Sequence, residues 1–327
     1  MRPFCDRLIS AIESKGNPCV VGLDPRIDQM PDFVMEGDCE VQPDAAIRRA
    51  ITGFHATVLD VVASLVPAVK LQIAFYEQYG LAGLQAFCET VRAAKERELL
   101  VIVDAKRSDI SSTAEAYANA FLGTTRLRSS SYTAFDVDCI TVNPYLGRDS
   151  LQPFVSACSK YGKGIFVLVK TSNPGSIDLQ DQRLATTGTA LYDVVARMVD
   201  ELGKAVLGES GYSSIGAVVG ATFPHEAERL RTIMQHAILL VPGYGAQGGT
   251  GRDAAACFNS DHLGAIVNAS RSITYSYGAR DISIGAFQST VRAKMSQMID
   301  DINASLTERF SAGEERGHNG GNRRHRV

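Results

Sequence analysis

Residues Leu99–Thr113 read LLVIVDAKRSDISST, five apolar residues running directly into Asp104, Lys106 and Asp109. An unbroken Leu/Val/Ile run of this length suits a strand buried on both faces, as in a parallel sheet. Side chains two apart in a strand share a face, so Asp104 and Lys106 point the same way. Asp109 follows in the loop or the first helical turn. Two carboxylates and an ammonium are thereby gathered at the C-terminal end of a buried strand, where α/β folds bind ligands. The plain reading is a salt bridge capping the strand, with Ser108 or Asp109 as the N-cap of the next helix. Asp104, Lys106 and Asp109 within six residues, directly after an apolar run, favour the functional one. A partly buried Lys between two carboxylates stays protonated, because opposite charges offset its desolvation. Such an alternation of fixed charges can carry a proton and press on an anionic substrate.

Four further stretches have chemical content. Lys70 sits in the apolar run AVKLQIA; Lys is almost never buried unless paired, and the alternative is a snorkelling side chain at a strand end. Pro242–Thr250 reads PGYGAQGGT, and its glycines let the backbone come close to a ligand and offer N–H groups, or else make a plain flexible turn. Arg271, in NASRSI, is placed to grip a phosphate bidentately. Asp24, before Pro25 in CVVGLDP, is a strand-end carboxylate or a turn cap.

These residues need elements to position them. Short apolar runs at Cys19–Pro25, Ala68–Ala74, Leu99–Lys106, Cys139–Tyr145, Gly164–Thr171, Ile215–Ala221, Ala237–Gly243 and Ala265–Ser270 read as strands. Helical spacing fills Pro3–Lys15, Asp44–Val66, Tyr76–Arg97, Ser111–Leu122, Asp149–Tyr161, Leu179–Leu207 with a break at Gly188, Pro224–Gln235 and Ser283–Arg309. Thr124–Phe135 is read as an additional helix. Eight strands alternating with helices predict βαβ units, a parallel sheet and a single-domain TIM (β/α)8 barrel over residues 1–310. The runner-up, an open doubly wound sheet, lacks a G-x-G-x-x-G after the first strand. The loop after strand seven of a TIM barrel is a common phosphate site, so PGYGAQGGT and Arg271 together point to phosphate. Residues 311–327, SAGEERGHNGGNRRHRV, lack apolar periodicity and are expected to be a disordered tail.

Composition excludes several classes. The 327 residues are 45% hydrophobic and 21% charged, with a net charge of −3, so no basic field calls for nucleic acid or an anionic membrane. Apolar runs such as Val58–Val69 are too short to span a bilayer, and MRPFCDRLIS has no apolar signal region. Seven cysteines without C-x-x-C spacing are expected as free thiols in a reducing cytosol. H-E-x-x-H and G-x-x-x-x-G-K-[ST] are both missing.

DAKRSDISST resembles the Asp-x-Lys-x-x-Asp signature of the orotidine 5'-phosphate decarboxylase family, and the surrounding segments resemble its longer bacterial form from about Phe4 to about Leu306. The resemblance implies conversion of orotidine 5'-phosphate to uridine 5'-phosphate, the last step of pyrimidine synthesis, without cofactor or metal. It implies a catalytic tetrad of Lys70, Asp104, Lys106 and Asp109, with Lys106 stabilising and protonating a carbanion at C6 of the ring. It further implies that Gln247 and Arg271 contact the phosphate, Asp24 and Thr113 the ribose, and Ser172 the pyrimidine edge. It implies a cytoplasmic homodimer in which Asp109, with Thr113 beside it, serves the partner's site. Asn143-Pro144-Tyr145 matches the long form and is read as structural. Ser108 stands where the family pattern leads one to expect Gly; it is expected only to alter a loop, though a strained backbone there would shift Asp109. Two rivals remain. One is a magnesium-dependent sugar-phosphate decarboxylase or aldolase of the same superfamily, which needs another carboxylate as metal ligand where Lys70 repels a cation. The other is a non-catalytic phosphate-ligand sensor, against which the intact charged set argues.

Overall fold

The computed structural model describes residues 1–35, 42–245 and 248–319, the last eight of these as backbone only. Eight parallel strands close into a barrel: β1 Cys19–Gly22, β2 Ala68–Gln72, β3 Leu100–Arg107, β4 Cys139–Val142, β5 Gly164–Lys170, β6 Ser213–Val219, β7 Ala237–Val241 and β8 Ala265–Ala269. Each strand pairs with its neighbour in sequence, and β8 pairs with β1 to close the ring. The main helices are α1 Phe4–Lys15, α2 Pro43–Val62, α3 Gly80–Glu96, α4 Ser111–Phe121, α5 Arg148–Tyr161, α6 Leu191–Gly203, α7 Pro224–Ile233 and α8 Ile284–Asn319. The expected TIM barrel is therefore the observed fold.

Strand alternation divides the apolar residues into two cores. Val21, Val69, Leu71, Val101 and Val103 face outward and pack under the helices. Val20, Ala68, Leu100, Ile102, Phe166, Ile238, Leu240 and Ile266 belong to a second cluster inside the barrel, shared with α1 residues Phe4, Cys5, Leu8, Ile9 and Ile12. Helix α1 therefore plugs the N-terminal mouth, where Phe4 meets Phe166 edge to face with ring centroids 6.2 Å apart. Only the C-terminal mouth stays open. Helix α8 buries Phe287, Val291, Met295, Met298, Ile302 and Leu306, a stripe spaced by three and four residues that covers the join between β8 and β1.

Three stretches depart from expectation. Thr124–Phe135 is no helix: Thr125–Arg126 and Ser131–Tyr132 form a small antiparallel hairpin. Ser129, Ser130 and Ser131 at its turn are weak helix formers whose hydroxyls compete for the backbone. The helix expected from Leu179 starts only at Leu191. Before it, Thr186, Thr187 and Thr189 flank Gly188, which takes φ +67°, and this stretch runs as a loop. Helix α8 continues to Asn319 instead of ending at Arg309, so the expected tail is helical backbone at its start; residues 320–327 lie outside the described residues. Among the described residues no helix is long and apolar enough to cross a membrane.

Candidate functional site

The same alternation that fills the barrel decides what faces its open mouth. On β2, Ala68 is followed inward by Lys70 and Gln72; on β3, Leu100 and Ile102 are followed by Asp104; on β8, Ile266 is followed by Asn268. Each strand thus reads apolar below and polar above. The polar layer lines a cavity of about 560 Å³ with Asp24, Lys70, Asp104, Lys106, Ser172 and Arg271 among its walls. Six of the nine residues expected at the site are brought together here.

Asp104 is the electrostatic hinge of the wall. Lys70 Nζ lies 3.1 Å from its Oδ2, and Lys106 Nζ lies 2.6 Å from its Oδ1. Burial alone would push the Asp104 carboxyl upward, but the two ammonium groups outweigh it and hold it far below the usual carboxylate range. Burial likewise pulls the Lys70 ammonium toward neutrality, and the charges of Asp104 and Asp24 reverse this, leaving its pKa raised. Lys70 is only 5% exposed, so it is a buried, paired and charged lysine, not a snorkelling one. Asp24 is fixed from the next strand by the backbone N–H of Gln72, which donates to its Oδ1 at 3.1 Å.

The β3 backbone is irregular at this point. Lys106 takes φ +48°, a left-handed conformation that costs on the order of 1–3 kcal/mol in a residue with a side chain. Ser108 itself is not strained; the left-handed backbone falls at Lys106 and at Ser111, with φ +46°. Asp109 accepts a hydrogen bond from the Ile110 amide at 2.8 Å. Neither it nor Thr113, exposed on the first turn of α4, lines the cavity of its own chain.

On the opposite wall, Gly243 and Gly245 take φ +103° and +70° in the loop after β7, a bend suited to residues without a Cβ. The loop closes on itself through Gly245 N to Gly249 O at 2.9 Å and leads into a short helix, Gly251–Ala255, capped by Thr250 and Asp253. Gln247 lies outside the described residues. Arg271 opens the turn after β8, and among the described residues no carboxylate pairs with its guanidinium. Ser172 follows β5, and Gly220 lets it sit there: a Cβ on Gly220 would stand 2.8 Å from that of Ser172.

Sequence reasoning missed several wall residues and their supports. Gln72 and Asn268 line the cavity, the latter with a buried Oδ1 that has no partner among the described residues; both were readable as polar interruptions of apolar strands. Gln180 reaches the cavity from a loop and clamps Thr171 through both its amide atoms, at 2.9 and 2.8 Å, with no sequence signal. Lys170, fully buried, pairs with Asp181 at 2.6 Å and lies 4.3 Å from the Phe223 ring centroid, pinning the loop that carries Ser172 and Gln180. Asn143 caps its own turn, accepting from the Tyr145 amide at 3.0 Å, in keeping with a structural role.

The sequence model of the orotidine 5'-phosphate decarboxylase / HUMPS family matches residues 47–281. Among curated relatives, the orotidine 5'-phosphate decarboxylase of Rhodopirellula baltica is 45% identical over 306 residues, covering 92% of this chain and 99% of its own. That of Caldicellulosiruptor saccharolyticus is 40% identical over 309 residues, covering 94% and 100%. Among solved structures, Leishmania donovani OMP decarboxylase superposes with a TM-score of 0.69 at 29% identity, covering 93% of this chain and 98% of that one.

Proposed function

The chain belongs to the orotidine 5'-phosphate decarboxylase family, and from that premise we propose how its own residues carry the reaction. The enzyme decarboxylates orotidine 5'-phosphate to uridine 5'-phosphate in pyrimidine biosynthesis. The bond from C6 to the carboxylate breaks, carbon dioxide leaves, and the electron pair stays on C6 with no conventional sink in the ring. Stabilisation must then be electrostatic and preorganised. Lys106 faces the developing carbanion and gives it a proton, leaving as a neutral amine that solvent reprotonates. Asp104 lies beside the departing carboxylate, and Lys70 holds Asp104 in place. No cofactor takes part.

The observation that carries this reading is the Lys70–Asp104–Lys106 line of charges on the cavity wall. The order of strands supports the rest. Around the ring, β7 and β8 are followed by β1 and then by β2 and β3. A nucleotide laid along that arc puts phosphate at Arg271, ribose at Asp24 and C6 at Lys106, with Ser172 across the mouth on the pyrimidine. Asp109 and Thr113 complete the site of a partner subunit in a two-fold homodimer. One domain, residues 1–310, carries the activity. The described cysteines are unpaired, which supports a reducing cytoplasm as its location.

Both Asp104 oxygens are taken by ammonium groups, which disfavours the magnesium-dependent rival, since Mg²⁺ needs free oxygen ligands. The deciding experiment adds orotidine 5'-phosphate in excess chelator and follows the ultraviolet change. Full activity is expected; activity only on restoring magnesium would overturn the cofactor-free reading.

A further inference from the structure

Strands β3 and β4 pair at Ile102–Cys139 and Val103–Ile140, and pairing resumes only at Arg107–Val142. Asp104, Ala105 and Lys106 therefore stand opposite a single residue of β4, Thr141. This bulge re-aims the strand at the point where the charged residues begin. In a regular ladder the amides of Ala105 and Lys106 would not share one acceptor. Here both donate to the Thr141 hydroxyl, at 3.0 and 2.9 Å. The same hydroxyl donates to Asp104 Oδ1 at 2.9 Å. A hydroxyl has one donor and two acceptor sites, so this one is saturated. Thr141 is fully buried and does not line the cavity.

We propose that Thr141 is a positioning residue for the decarboxylation: its hydroxyl locks the β3 bulge and thereby aims the Lys106 ammonium along Asp104 into the cavity. The inference rests on the role of Lys106 given above. The left-handed backbone at Lys106 persists only where its surroundings over-determine it, and the Thr141 hydroxyl is the group that holds the two consecutive amides leading into the turn. Valine keeps the shape and removes all three hydrogen bonds. One buried and one partly buried amide then lack that partner, Asp104 loses a donor, and the left-handed turn at Lys106 is free to relax, which displaces its ammonium from the 2.6 Å contact with Asp104. Thr141 touches no substrate, so binding at Arg271 and Asp24 is untouched.

The test compares wild type, Thr141→Val, Thr141→Ser and Lys106→Ala in three readouts. These are kcat, the Kd for uridine 5'-phosphate, and exchange of the C6 hydrogen of that product for solvent deuterium, the microscopic reverse of proton delivery. A displacement of about 1 Å in a reacting group costs roughly 10²-fold; Thr141→Val is expected to lose about that factor in kcat and in exchange, with product Kd within about threefold. Thr141→Ser, which keeps the hydroxyl, should stay within about threefold of wild type in all three. A Thr141→Val enzyme with wild-type kcat, a product Kd that weakens in step with kcat, or a Ser variant as defective as Val overturns the proposal. Should Thr141→Val not fold, Thr141→Cys decides, being similar in size and a weak hydrogen-bonding group: lost kcat at retained Kd supports positioning, and wild-type kcat refutes it. An active Lys106→Ala enzyme refutes the underlying role of Lys106 instead, whatever the Thr141 variants do.

Discussion

Mixing two inactive variants tests whether the sites are shared between subunits. Lys70 is buried in the cavity of its own chain, whereas Asp109 lies outside that cavity and bonds only the neighbouring Ile110 amide among the described residues. If Asp109 serves the partner's site, each site takes Lys70 from one chain and Asp109 from the other. Lys70→Ala and Asp109→Ala homodimers are then both inactive. When equal amounts exchange at random, about half the dimers are mixed, and in each of these one site carries both lesions and the other neither. Half the dimers with one good site in two gives roughly a quarter of wild-type activity. The assay is initial-rate decarboxylation before and after exchange, with mixed dimers verified by two affinity tags. No recovery in verified mixed dimers would show that Asp109 acts within its own chain, because every site would then carry one lesion.

Arg271→Ala should leave the fold intact and lower kcat/KM by more than about tenfold per lost bond, since a charge-assisted hydrogen bond contributes roughly 1.5–3 kcal/mol; unchanged kcat and KM would show that Arg271 does not touch the phosphate. Asp104→Asn breaks a buried charge cluster and should destabilise the protein by about 3–5 kcal/mol at pH 7. Its folded carboxyl titrates below the unfolded value, so the stabilisation is present above pH ~3.9 and is lost as pH falls through the folded pKa. Denaturant melts at pH 7 and pH 3 should therefore show a narrowing gap between wild type and variant, and a gap independent of pH would contradict the pairing.

Much of this was legible in the sequence because the signals are local. The eight apolar runs reported the strands, and Asp104 and Lys106 reported a shared face through their spacing alone. Lys70 stood out as a charge inside an apolar strand, and its partner is the carboxylate one strand away. The hairpin at 125–132 and the loop before Leu191 were misjudged, since scattered apolar residues imitate a helical period when no packing partner is visible. The bulge at Lys106 was invisible because it arises from a mismatch between β3 and β4, and Thr141 matters only through that mismatch. Gln180 and Lys170 act through a loop whose course no local pattern dictates. Asp109 and Thr113 read as site residues by motif, yet one chain leaves them outside its own cavity, and the proposed sharing between subunits is not something a local pattern can display.

Lys106 is the group proposed to stabilise the C6 carbanion and to deliver its proton. Carbon dioxide release from saturating orotidine 5'-phosphate by Lys106→Ala measures this most directly, with uridine 5'-phosphate binding as the control for an intact site. Loss of a positioned proton donor costs about 10²–10⁴-fold, and loss of the adjacent positive charge adds to it, so no measurable turnover is predicted while the product still binds. Turnover within about tenfold of wild type, with binding preserved, would contradict the role assigned to Lys106.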